Sequence, residues 1–129
     1  MPENVDMLCK FIVQQENIVD FAMASVQCLN EEICFKILQA FAQKTTIGYI
    51  SFVEAQEFWF ASDANVEMFV ECLKNNQKLK EVNFERIQLS DSQAFKVLEA
   101  LSQLKTLKYM FFESTSSWLK TEANVELFC

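Results

Sequence analysis

The chain has 129 residues but no histidine, one glycine and one proline. Without histidine there is no Ser–His or Cys–His nucleophile pair, no imidazole general base, and little material for a catalytic zinc site. With Gly48 alone, a glycine-rich phosphate loop cannot be built. Hairpin-rich sandwiches and barrels also lose weight, because their tight turns draw on glycine for positive φ. Positive charge is short as well: 11 Lys and Arg stand against 18 Asp and Glu, a formal net charge of −7. That balance argues against nucleic acid or an anionic membrane as partner. The densest basic group, Lys74, Lys78, Lys80 and Arg86, is interleaved with Glu71, Glu81 and Glu85 and reads as a solvated surface. No apolar run reaches the roughly eighteen residues of a bilayer span. The Met-Pro-Glu-Asn start lacks the basic-then-apolar order of a secretory signal.

Five cysteines, an odd number without any C-x-x-C pair, point to reduced thiols in a cytoplasmic setting and to no structural metal. Cys34 falls on a core helix position, and Cys9, Cys28 and Cys72 read as small hydrophobes in or beside the core. Glu31-Glu32 open a helix, where acids complement the dipole, and read as helix-start residues rather than as a general acid and base. Catalysis, a cofactor, a metal and a small-molecule substrate are therefore not expected.

What the chain does have is apolar bulk, including 13 Phe, and repetition. Asn4-Val5-Asp6-Met7-Leu8 returns as Asn65-Val66-Glu67-Met68-Phe69 and again as Asn124-Val125-Glu126-Leu127-Phe128, at steps of about sixty residues. Phe35 to Phe41 is answered by Phe95 to Leu101. Inside that period lies a shorter unit. An apolar-x-x-apolar-x-apolar template recurs as Ile18, Phe21, Met23, then Ile47, Ile50, Phe52, then Leu79, Val82, Phe84, then Leu107, Met110, Phe112. Its last positions alternate as in a strand with one buried face. Ahead of each template runs an amphipathic helix, anchored by Ile12, Phe41, Leu73 and Leu101. Leu8, Ile37, Phe69 and Val97 lie one turn before, and Val5, Cys34, Val66 and Ala94 two turns before. A constant helix-to-strand joint with a variable strand-to-helix loop marks a solenoid.

The segment Leu79-Lys80-Glu81-Val82-Asn83-Phe84-Glu85-Arg86-Ile87-Gln88-Leu89 resembles the leucine-rich-repeat strand segment, L-x-x-L-x-L-x-x-N-x-L. The helix after it resembles the ribonuclease-inhibitor-like class, with a pattern nearest the tropomodulin type over Phe69 to Leu101. The ninth template position holds Val26, Ala55, Ile87 and Thr115, so the family's Asn ladder is missing. The resemblance implies an α/β leucine-rich-repeat solenoid, with a parallel β-sheet on the concave face and helices on the convex face. It implies one domain over residues 1–129: a helix over 5–15, then units starting near 18, 47, 79 and 107, the last incomplete. It also implies a regulator that binds actin or a small GTPase, as tropomodulin and the Ran GTPase-activating protein do.

The residues themselves favour a non-enzymatic protein-interaction module, a structural or scaffolding subunit of an intracellular assembly. On the concave face the outward slots hold Tyr49, Ser51, Glu81, Asn83, Glu85, Tyr109, Phe111 and Glu113, and exposed aromatic side chains there would anchor a protein partner. The two longer loops carry Phe58, Trp59, Phe60 and Trp118. Those rings either anchor a partner or cover the core, the second reading being favoured because Trp is highly buried on average. At the C-terminal end Val125, Leu127 and Phe128 would need a larger assembly to cover them.

Overall fold

The computed structural model describes residues 2–23, 30–53 and 59–113. Helices and strands alternate: α1 (Pro2–Gln14), β1 (Asp20–Met23), α2 (Glu31–Ala42), β2 (Tyr49–Val53), α3 (Asp63–Asn75), β3 (Glu81–Glu85), α4 (Asp91–Ser102) and β4 (Tyr109–Glu113). The strands pair in chain order, β1-β2-β3-β4, and every pair is parallel. Helices α2, α3 and α4 each lie between successive strands, which parallel strands require of their crossovers.

Local chemistry starts the helices where the chain turns. Asn30, Ser62 and Ser90 cap α2, α3 and α4, each accepting from a backbone N–H three residues on. At α4, Gln93 reaches back to the Ser90 N–H and completes a capping box. Glu31 and Glu32 fill the first turn of α2, the helix-start place their sequence suggested. Gly48 needs no positive φ, and a Cβ there would meet Val19 O only at 3.9 Å. The single glycine is not a conformational device.

The repeated template is the core. Ile47, Ile50, Phe52, Leu79, Val82 and Phe84 are fully buried, and the helix anchors Ile12, Phe41, Leu73 and Leu101 are buried with them. Phe52 is the hub: its ring lies 5.5 Å from Phe69, 5.1 Å from Phe60, 5.5 Å from Trp59 and 6.3 Å from Phe84. Phe21 stacks on Phe41 at 3.8 Å. One expectation fails at the edge. Leu8, placed by its spacing on the buried stripe of α1, is 45% exposed, because α1 packs chiefly against α2 among the described residues.

The missing Asn ladder has a substitute at the other end of each unit. Thr46 and Thr106, about sixty residues apart, donate to the carbonyls of Ile18 and Leu79, the first template residue of the preceding unit. At the joint between them, buried Asn76 accepts from Ile47 N–H at 2.9 Å and donates to Cys72 O at 2.7 Å. Thr46 and Thr106 stand one residue before their templates, and Asn76 stands three before its own. This gives the sixty-residue period a structural meaning.

Candidate protein-interaction surface

The sheet has one face against the helices and one face away from them. On the second face the register sets the expected residues in rows. Asp20, Tyr49, Glu81 and Tyr109 pair across the four strands; the next row is Ala22, Ser51, Asn83 and Phe111; the third is Val53, Glu85 and Glu113. β3 shows the alternation most plainly, with Glu81, Asn83 and Glu85 half-buried around fully buried Val82 and Phe84.

The rows are not uniform. Tyr49 is half-buried, flanked by strands on both sides. Ser51 is only 5% exposed, although it occupies an outward slot. Its short side chain sits between Ala22 and Asn83 on the neighbouring strands and does not rise above the sheet. Ser51 is thereby corrected from an exposed contact to part of the floor. Tyr109 and Phe111 differ: they are 56% and 53% exposed on β4, which has one neighbouring strand among the described residues. Glu113 stands in register with Glu85. Lys80 and Lys108 precede the first row, where Lys108 N–H bonds Lys80 O at 2.8 Å.

Of the two readings of the aromatic loop, the favoured one, covering the core, describes Trp59 and Phe60, and the partner-anchor reading is corrected for these two rings. Trp59 is fully buried and Phe60 is 5% exposed. They close the top of the core against Phe21, Phe52 and Phe69 rather than offering rings to a partner. The physical reason is area: apolar rings beside an open core gain more from covering it than from solvent. Trp59 Nε1–H is buried without a hydrogen-bond acceptor among the described residues, a cost accepted for the packing of its ring. Phe58, Trp118, Val125, Leu127 and Phe128 lie outside the described residues.

The helix side carries a feature the sequence reading passed over. A groove of about 630 Å³ between α3 and α4 and another of about 550 Å³ between α1 and α2 are built alike. Lys96 pairs with Glu67 at 3.2 Å in the first, and Lys36 with Asp6 at 3.5 Å in the second. Ala100 and Ala40 line equivalent places in the two grooves. The signal was present in the sixty-residue motif, which aligns Asp6 with Glu67 and Lys36 with Lys96. Among the described residues no cluster of carboxylates or thiols could hold a metal ion, and no helix is long and apolar enough to cross a membrane. Burial pushes the Cys34 and Cys72 thiols up to about 12, far from a reactive thiolate, and also raises Cys9.

These features define an α/β repeat stack with an open sheet face. No family model and no curated protein sequence matches the chain. Solved structures do share its fold. Leiomodin-1 actin-binding site 2 matches over 97% of this chain and 68% of its own, with a TM-score of 0.69 at 15% identity. The tropomodulin C-terminal domain from Caenorhabditis elegans matches over 96% and 71%, with a TM-score of 0.69 at 10% identity. At such identities the likeness is one of fold, and it is the leucine-rich-repeat-like architecture that the resemblance of the strand segment implied.

Proposed function

We propose that the chain is a non-catalytic protein-interaction module that holds a partner protein on its open sheet face. The observation that carries this reading is the pair Tyr109 and Phe111, more than half exposed on an in-register strand. Aromatic side chains held on a strand offer large contact area at little cost in side-chain entropy. Phe111 has no polar atom to favour solvent. Glu81, Asn83 and Glu85 on the neighbouring strand border them, so the partner surface that suits the face is apolar with basic groups around it. A scaffolding subunit of an intracellular assembly is the form of this reading we favour. Tyr109→Ala with Phe111→Ala should abolish capture of the partner while the melting temperature stays within a few degrees. Retained binding would remove the sheet face from the account.

Actin is the second reading, favoured by the structural match to the actin-binding site of leiomodin-1. It predicts salt-sensitive binding of the purified monomeric chain to actin, weakened by the same double substitution. A chain that is soluble and monodisperse alone but shows no affinity for actin would remove this reading.

A further inference from the structure

The chain's two tyrosines both stand in the first row of the sheet face, and they alternate there with acids. Asp20, Tyr49, Glu81 and Tyr109 lie in register across the four strands. Equivalent backbone bonds hold the row level. Tyr49 N–H donates to Val19 O at 3.2 Å, Glu81 N–H to Gly48 O at 3.1 Å, and Tyr109 N–H to Lys80 O at 3.1 Å. Glu81 therefore has a ring on each side, whereas Asp20 has Tyr49 alone among the described strands. Glu81 is half-buried between them, so water screens its charge less than that of an exposed acid. Among the described residues its carboxylate makes no ion pair or hydrogen bond. Neighbouring strands lie about 4.8 Å apart, so a cation centred over Glu81 falls within the roughly 6 Å reach of both rings.

We propose that Tyr49, Glu81 and Tyr109 form a slot for one arginine side chain of the partner protein. Its guanidinium forks onto the Glu81 carboxylate, and the two rings lie against its faces. That the arginine belongs to a partner protein rests on the sheet-face reading. Arginine suits the slot because its planar group both stacks on rings and donates two parallel hydrogen bonds to a carboxylate. A lysine ammonium is a compact, strongly hydrated point charge and uses neither feature fully. An acidic or neutral side chain leaves the Glu81 charge unanswered. A second copy of this chain is a poor source of the group. Arg86 is its only arginine and is already engaged within its own chain, and each copy carries a net charge of −7. The partner segment therefore presents arginine beside the apolar group that meets Phe111, one row further along β4.

The probe is the capped peptide acetyl-Gly-Arg-Gly-amide, titrated into the isotope-labelled full chain. Resonances of Tyr49, Glu81 and Tyr109 should shift saturably, with a dissociation constant of about millimolar order. The same peptide with citrulline, which keeps the shape and loses the charge, should bind about tenfold more weakly or worse. The lysine peptide should bind about threefold more weakly or worse. Glu81→Gln should weaken the arginine peptide about tenfold, whereas Asp20→Asn should change it less than about twofold. Tyr49→Leu should cost about threefold, and Tyr49→Phe, which keeps the ring face, less than about twofold. Phe111→Ala should leave the peptide's affinity unchanged. The slot is overturned if no saturable shift occurs up to about 50 mM peptide, or if shifts are confined to residues outside the row. Equal binding of the citrulline or lysine peptide overturns it too, as does equal binding by the folded Glu81→Gln chain. Partner capture lost on Tyr109→Ala with Phe111→Ala but intact in Glu81→Gln overturns the slot and leaves the sheet face standing. Failure of the sheet-face reading has a different signature, capture that survives the double substitution.

Discussion

Helices α1 and α3 begin with one motif and end up in different surroundings. Asn65 is buried and donates to Glu31 O on α2 at 3.1 Å, whereas Asn4 is exposed. Val66 is fully buried and Val5 half-buried; Phe69 is 1% exposed and Leu8 45%. Cys72 is fully buried, and Phe11 at the equivalent place is 57% exposed. The anchors agree, Ile12 and Leu73 both being buried. The same residues thus bury or expose themselves according to how many neighbours their unit has. A repeat template specifies a side chain's direction, and stacking decides whether that direction is inside.

The comparison can be broken by substitutions at matched positions. Phe69→Ala removes a ring packed by three others and should cost about 3–5 kcal/mol in urea unfolding. Leu8→Ala should cost under about 1 kcal/mol, since the surface it leaves is already open. Equal losses would mean that α1 is covered after all. The thiols come next. Cys72 is pushed up to about 12 by burial, against 9.0 for an unburied thiol. Its protonated form is the native one, so stability is unaffected below pH 9 and falls as pH rises from 9 towards 12. Cys72 should resist a thiol reagent at pH 8, whereas Cys introduced by Phe11→Cys should react readily. Asn65→Ala should cost about 1–2 kcal/mol by orphaning a buried contact, and Asn4→Ala within about 0.5 kcal/mol. Smallest are the matched ion pairs. Double-mutant cycles on Lys96–Glu67 and Lys36–Asp6 should each give below about 0.5 kcal/mol, because all four side chains are more than a third exposed.

The strand template and helix anchors could be read from the chain because each fixes a side chain every two or every three to four residues, and four copies agree. The rows of the sheet face followed from them. What could not be read was stacking. Leu8 carries the same spacing as Phe69, and nothing in its own unit announces a missing neighbour. Ser51 obeys the alternation, yet its size, not its direction, removes it from the surface. Trp59 lay between two readings until its neighbours Phe21 and Phe52 were in place. The joint residues Thr46, Asn76 and Thr106 were open to sequence reasoning, since each precedes a template start.

The account rests on Tyr109 and Phe111 being the surface that works and the Phe52 cluster being the core that supports it. Hydroxyl-radical footprinting of the free chain and of its captured complex tests both at once. In the free chain Tyr109 and Phe111 should be labelled and Phe52, Trp59, Phe69 and Phe84 silent. In the complex Tyr109 and Phe111 should become protected. Continued labelling of both in the complex, with protection confined to the helix side, would contradict the account.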